Sequence, residues 1–319
     1  MLLESVGRLT GVPLAKQGPA FLVGLGHGTT HWIAAFFYLL LPFVARDIGL
    51  SYTDTGFLVS VFHLSALVAN FGSGLAVDVT GRRIVYQVSS LLIGGVALLG
   101  FGLTHEFLIL TGLVVLLGAS NNLWHPPAIA YLSEHYPRNR GYALSVHALC
   151  ANLGDTLAPL AAGALLVVLS WQGTALTGAV PVFVIAAILM LFLRHSVGNT
   201  GGVRDNHNGI RDYLVQVGRI ARDRTILALC VMSGMRNIAQ NGLYVFLPLY
   251  LVNELDSGPL WLGVTMMALQ AGVLIASPIA GAWSDRVGRR PVVLAGLSVT
   301  TVVIATMTLT RNDLIIVAT

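Results

Sequence analysis

Nine apolar runs, each long enough to cross a bilayer, govern what this chain can become. They lie near residues 19–44, 55–77, 84–103, 107–131, 142–169, 174–193, 225–252, 259–283 and 291–309, and a tenth starts at Leu314. A spanning helix takes roughly 20 apolar residues. Inside hydrocarbon the backbone must satisfy its own hydrogen bonds, so uninterrupted runs of this length read as helices rather than strands. Composition agrees: 55% of the 319 residues are hydrophobic and 10% are charged, against about 25% charged in a water-soluble domain. Too few charges remain to clothe a water-facing surface. The expected fold class is an all-α polytopic membrane protein, in contact with the lipid bilayer over most of its surface.

The basic residues test this count. Arg8 and Lys16 at the N-terminus, and Arg82, Arg83, Arg138, Arg140, six arginines between 194 and 224, Arg286, Arg289 and Arg290 in the even-numbered loops, far outnumber Arg46 and Arg311 in the odd-numbered ones. Cytoplasmic loops carry such an excess. The N-terminus and the even loops are therefore assigned to the cytoplasm, and the chain to the inner (plasma) membrane of a bacterium. The net charge of +4 is broken into short clusters between apolar runs, which is no footprint for nucleic acid. Cys150 and Cys230 lie within apolar runs without ligand spacing and read as buried thiols. No phosphate loop, metal-hydrolase motif or supported Ser-His-Asp pattern is present. An enzyme is not expected, nor is any cofactor or resident metal.

Residues 194–224 are the longest polar stretch and divide a six-span bundle, 1–193, from a partial second bundle, 225–319. Within that cytoplasmic linker Ile210, Leu214, Val217 and Ala221 share one helical face among basic residues, the pattern of an interfacial helix. Across the divide the chain repeats itself. "GLAVDVTGRR" at 74–83 returns as "GAWSDRVGRR" at 281–290. Gly56 answers Gly263, Tyr38 answers Tyr244 and Pro42 answers Pro248, always 206 or 207 residues apart. The chain thus reads as two parallel six-helix repeats, the second cut short in its tenth span. Parallel halves of this kind describe one architecture of secondary transporter. A complete second copy needs roughly 80–100 further residues for its remaining spans. Either the sequence is part of a longer chain or the product itself is truncated; in the second case low stability and no transport are expected unless another chain complements it.

These residues resemble the major facilitator superfamily. Gly74, Asp78, Gly81, Arg82 and Arg83 are similar to its signature loop between the second and third helices. Gly281, Asp285, Arg286, Gly288, Arg289 and Arg290 are similar to the copy between the eighth and ninth, and that copy is the fuller match because Val79 stands where the first usually has arginine. "EHYPRNRGYA" at 134–143, with Glu134 and Arg140, resembles the loop between the fourth and fifth helices. The resemblance implies a cytoplasmic latch, in which the arginines meet carboxylates such as Glu134 when that side is shut, with Asp78, Arg82 and Glu134 in the leading roles. Gly154, Ala158, Pro159, Ala162 and Gly163 form a degenerate version of the glycine–proline motif of exporting members. Small residues there also serve simple helix packing. "NNLWHPPAIAYL" at 121–132 with "GYALSVHALCANLGDTLAPL" at 141–160 is similar to the fosmidomycin-resistance exporters.

Ionisable groups within spans are costly and mark functional positions. His27 and His31 stand one turn apart in the first span; His63 is in the second; Asn121, Asn122 and His125 are in the fourth. The fifth span carries His147, Asn152 and Asp155, and the seventh carries Arg236, Asn237, Gln240 and Asn241. The resemblance places the first, fourth and seventh helices around a central cavity. His63 reads as a packing residue. Asp155 is the acid expected to pair with Arg236, which must face water or an anion because it does not deprotonate. His31, His125 and Asp155 are the expected proton carriers, since a histidine titrates near 6.5 and burial can bring an aspartate into range. The fourth-helix arginine of proton-coupled drug exporters is absent, for residues 111–117 read "TGLVVLL".

The expected function is proton-coupled efflux of a small organic compound by alternating access, from a monomer. Two other classes stay open. His27-x3-His31 has ligand spacing that suits a carrier of transition metals. The fold could also serve a non-transporting sensor or assembly protein, or the chain could be an inactive fragment.

Overall fold

The computed structural model describes residues 11–193 and 222–309, with 215 and 218–220. The expected interfacial helix therefore lies outside the described residues, apart from Val215 and residues 218–220, which are helical. A short 3-10 turn, Leu14–Lys16, leads into α1 (Gly18–Ile48), α2 (Tyr52–Thr80), α3 (Arg83–Phe101), α4 (Phe107–Leu123), α5 (His125–His135), α6 (Arg140–Val168) and α7 (Trp171–Leu193). After the linker come α8 (Arg224–Asn253), α9 (Pro259–Val287) and α10 (Arg289–Thr308). The described residues contain no strand.

Local chemistry sets the ends. Gly49 stops α1 in a left-handed conformation, φ 71°, its N–H on the carbonyl of Ala45. Two residues later Ser51 and Asp54 form a capping box: the Ser51 hydroxyl accepts from the Asp54 N–H and the Asp54 carboxylate accepts from the Ser51 N–H. Gly81, φ 65°, closes α2, and Gly288, φ 90°, closes α9. A side chain in that region costs roughly 1–2 kcal/mol, so the glycine of the repeated phrase is a helix stop in both copies. Asp223 caps α8 by accepting from the N–H groups of Thr225 and Ile226.

The expected fourth span is two helices. Pro126 and Pro127 lack the N–H groups that would continue the ladder, and α4 gives way to α5 at Trp124. Among the described residues eight stretches are long and apolar enough to cross a membrane, with α4 and α5 together forming one of them, Phe107–His135. α8 falls outside that set despite its 30 residues, because Arg236, Asn237, Gln240 and Asn241 interrupt its middle.

In lipid, helices approach through small residues rather than by hydrophobic exclusion. α1 is the hub, with 67% of its most apolar window buried, whereas α10 has none. A Cβ on Gly154 of α6 would lie 2.2 Å from the Gly28 carbonyl oxygen of α1. One on Gly118 of α4 would lie 2.1 Å from the Phe62 carbonyl oxygen of α2. Gly163 of α6 and Gly263 of α9 meet backbone to backbone in the same way. The outward faces stay apolar, with Leu108, Val168 and Ile238 more than three-quarters exposed. Cys230 is exposed on such a face, contrary to the buried thiol expected; Cys150 is half-buried.

The two ends of the bundle carry separate polar networks. At one end Asp47 accepts from Trp171 Nε1, and Gln172 bonds His105, so the loops after α1, α3 and α6 gather there. Tyr52 donates to Glu254 at the same end, joining the two copies. At the other end the Tyr136 hydroxyl donates to the Lys16 carbonyl, and Tyr142 donates to Gln17. This alternation is what an in-and-out chain requires. The buried contact of α8 and α9 with the first seven helices runs through residues such as Leu249, Leu251, Val252 and Leu262, near the first end.

Candidate functional site

The site begins with a comb of glycines on α1. A Cβ on Gly24 would stand 2.9 Å from Cys150 Sγ, on Gly26 2.1 Å from the Trp124 ring, and on Gly28 2.6 Å from the Cys150 carbonyl oxygen. With no side chains in the way, α6 and the α4–α5 break close on α1, and histidines from three segments converge. His27 stacks on His147 with ring centroids 3.6 Å apart. It also lies 4.8 Å from His31 and 4.9 Å from His125, edge to face.

Each ring has one nitrogen already committed. His27 Nδ1 faces the His147 carbonyl oxygen at 2.8 Å. His125 Nδ1 faces the Asn121 carbonyl oxygen at 3.1 Å, an acceptor left near the helix break. His31 Nδ1 faces Asp155 Oδ2 at 2.8 Å. An oxygen of this kind accepts, so each Nδ1 carries a hydrogen, and in the neutral ring each Nε2 keeps a lone pair. His147 is used differently: its Nε2 accepts from Trp124 Nε1 at 3.3 Å, which makes it a packed support behind His27.

The His31–Asp155 pair opens on a cavity of about 290 Å³. One wall comes from α1, α2, α4 and α6, the other from α8 and α9. The lining includes Ala34, Ala35, Tyr38, Phe62, His63 and Asn121 on one side and Gln240, Asn241, Tyr244, Met266 and Gln270 on the other. Two of its contacts are copies of each other. The Tyr38 hydroxyl meets His63 Nε2 at 2.9 Å, and the Tyr244 hydroxyl donates to Gln270 Oε1 at 2.6 Å. Both the tyrosines and their partners stand 206 or 207 residues apart. A larger depression of about 560 Å³ lies between residues 11–19 and the 135–139 turn. It holds Lys16 and Arg138 at the rim, far from these groups, and has no convergent chemistry.

Several expected site residues fall elsewhere. Arg236 does not meet Asp155. It is exposed and donates to Gln240 Oε1 at 3.3 Å, one turn along α8, while Asp155 is turned toward α1. Asn122 and Asn152 are half-buried and Asn237 is exposed, all outside the cavity lining. Asn121 donates across to the Thr30 carbonyl at 3.2 Å. His63, read as packing, is exposed to the cavity instead. Tyr38, Tyr244 and Gln270 were not singled out as lining, although a tyrosine repeated before a repeated proline is a visible signal.

At the far rim Arg83, at the start of α3, makes a two-pronged ion pair with Glu134 near the end of α5. Of the two arginines of this turn, Arg83 makes the contact with Glu134, while Arg82 is exposed. Asp78 is exposed, and a Cβ on Gly74 would meet only open space, so no close helix contact forms there. Arg140 Nε donates to the Ser133 carbonyl at 3.1 Å and braces the α5–α6 turn. Arg286, Arg289 and Arg290 are exposed. The side chain of Asp285 and the surroundings of Gly281 lie outside the described set.

Comparison with known proteins places these features. The sequence model of the Major Facilitator Superfamily matches residues 20–319. The chain is 29% identical to the multidrug resistance protein MdtG of Escherichia fergusonii, over 83% of this chain and 68% of that one. It is 30% identical to sugar efflux transporter A of Dickeya chrysanthemi, over 78% and 61% respectively. In fold it is similar to a bacterial homologue of the human lysosomal transporter Spinster, captured inward-facing and unoccupied. There the TM-score is 0.73 at 15% identity, covering 95% of this chain and 72% of that one. The chain thus spans about two thirds of the length of such relatives.

Proposed function

Since the chain belongs to the Major Facilitator Superfamily, a family of membrane transporters, we propose that it exports a small organic compound by alternating access, driven by protons moving inward. One observation carries this reading: a cavity to which both copies of the repeat contribute polar groups opens beside a carboxylate–imidazole pair within the membrane-spanning part of the chain. Groups that can hold charge there are costly unless used. Relatives named for multidrug resistance and sugar efflux support the outward direction.

Residues 1–193 and 225–319 act as the two rocking bodies, with 194–224 as the link between them. The N-terminus and the Arg83–Glu134 rim face the cytoplasm, in keeping with the arginine distribution. The packing of α8 and α9 near Leu251 and Leu262 then seals the extracellular side, and the state is inward-facing. Arg83 and Glu134 both belong to the first bundle, so their pair holds with the cytoplasmic side open, unlike the latch contact expected of Glu134. Asp78, Arg82 and the second Gly-Arg-Arg turn meet partners only when that side closes. Protons are taken and released by His31, His125 and Asp155. The narrower likeness to fosmidomycin-resistance exporters belongs to this proposal as well.

The test uses inside-out vesicles containing the chain, acid inside, with a cationic dye and a labelled disaccharide as probes. Accumulation of one probe should collapse when the gradient is dissipated, and fall at least tenfold in Asp155→Asn and in His125→Ala. Accumulation indifferent to the gradient removes proton coupling. Absence of uptake across a wide probe panel removes the transport reading.

A further inference from the structure

Two ring nitrogens that face each other call for a positive species between them, a shared proton or a metal ion. His27 Nε2 and His125 Nε2 stand 3.2 Å apart, and both Nδ1 hydrogens are already donated to carbonyl oxygens. Two acceptors at that distance repel unless a positive species lies between them. The third ring is close, for one nitrogen from each of His27, His31 and His125 lies within 4.8 Å of the others. We propose that these three imidazoles form a binding site for a divalent transition-metal ion of the zinc class.

The spacing suits such an ion. Nitrogens about 2.0–2.1 Å from a tetrahedral zinc lie about 3.3 Å from each other, close to the His27–His125 separation. His31 completes the set through Nε2, the nitrogen its contact with Asp155 leaves available. It lies beside the cavity with about a quarter of its side chain exposed, so it has room to tilt inward. Neutral imidazole is a favoured ligand for zinc, nickel and copper. A metal-bound histidine also characteristically donates its other nitrogen to a carboxylate or a carbonyl. Here all three do so: His31 to Asp155, His27 to the His147 carbonyl and His125 to the Asn121 carbonyl. That outer set is a second observation, independent of proximity, and it orients the rings before any ion arrives. Three protein ligands leave a fourth position open to water or another donor. His147 takes no part, because Trp124 occupies its Nε2.

The site stands on the arrangement of donors and needs no transport activity, so it survives or fails apart from the export reading. The test uses the full chain in lipid nanodiscs, titrated with zinc by calorimetry and with cobalt by visible absorption. One ion per chain is expected, with cobalt giving the intense bands of a four-coordinate, nitrogen-rich centre. Zinc affinity should fall at least tenfold in His27→Ala, His31→Ala and His125→Ala, and about tenfold in Asp155→Asn, at the lower end of what losing an outer partner does. His105→Ala, at the exposed far end, should leave it unchanged. No saturable zinc binding by the unaltered chain, affinity undiminished in the His27→Ala/His125→Ala double variant, or a pale six-coordinate cobalt spectrum would each overturn the site. The cobalt spectrum of the unaltered chain decides the matter even where a variant fails to fold.

Discussion

The two copies of the repeat share their scaffold and differ in their chemistry. α1 and α8 both bury a proline, Pro42 and Pro248, and both present a tyrosine to the cavity. α2 and α9 are each 29 residues long and end at a glycine of positive φ. Where α1 carries His27 and His31, however, the second copy has Ser233 and Asn237; where the first has Ala34 and Ala35, the second has Gln240 and Asn241. The two histidines of α1 thus have no counterpart in α8, and where α1 offers alanines to the cavity α8 offers amides. Helix stops and prolines answer to backbone geometry, which both copies must satisfy. Side chains facing the cavity answer to what they hold, and a single asymmetric guest needs two different walls.

The sharpest way to break this comparison is through glycines at equivalent positions. Gly28 lies against the Cys150 backbone, while its counterpart Gly234 meets no atom within 4 Å among the described residues. Gly28→Ala should cost about 3 kcal/mol, the upper range for overpacking, and Gly154→Ala should cost as much. Gly234→Ala should be neutral or stabilising by roughly 0.5–1 kcal/mol. Thermal unfolding followed in detergent separates these outcomes, and equal losses at Gly28 and Gly234 would remove the claimed asymmetry.

Next come the helix stops, where the copies should agree. Gly81→Ala and Gly288→Ala should each lose about 1–2 kcal/mol; a loss in only one would show that the other turn can rearrange. The Arg83–Glu134 pair is a case where they should differ. Arg83 is largely buried and Glu134 half exposed, so Glu134→Gln should cost about 1 kcal/mol, near the top of the range for a partly solvated pair. Arg290, the counterpart of Arg83, is exposed, and Arg290→Gln should stay within about 0.5 kcal/mol of the parent. The smallest effect belongs to the tyrosines. Tyr38→Phe and Tyr244→Phe each remove one hydroxyl contact, worth about 0.5–1.5 kcal/mol. Either should weaken probe binding at the cavity by roughly two- to tenfold, and a change in stability with no change in binding would make them packing residues only.

Much of the scaffold was legible because lipid makes hydropathy a strong signal. The nine apolar runs coincide with the helices to within a few residues, except at Trp124. There the run continues in hydropathy while Pro126 and Pro127 break the backbone, so the chemistry of the N–H groups had to be weighed above apolar content. Cys230 was misplaced for a related reason: in a lipid-facing helix, apolar neighbours do not distinguish inside from outside. The choice of Arg236 for Asp155 failed because partners across helices depend on rotation about each axis, which spacing along one chain does not supply. His31 and Asp155 were each visible, but what brings them together is the glycine comb at 24, 26 and 28 and the small residues of α6. The repeat in the tyrosines was visible too; that His63 and Gln270 answer them could be recognised only once the helices stood side by side.

α5 begins at His125 and carries Glu134 near its far end. Nine residues of helix make a stiff rod about 14 Å long, jointed at Trp124 and clipped to α3 by Arg83. Any species drawn between the imidazoles at the upper tip pulls on a lever whose lower tip is the ion pair at the rim. If an ion does bind between these imidazoles, α5 is the element that would carry any displacement of His125 to the ion pair at the rim.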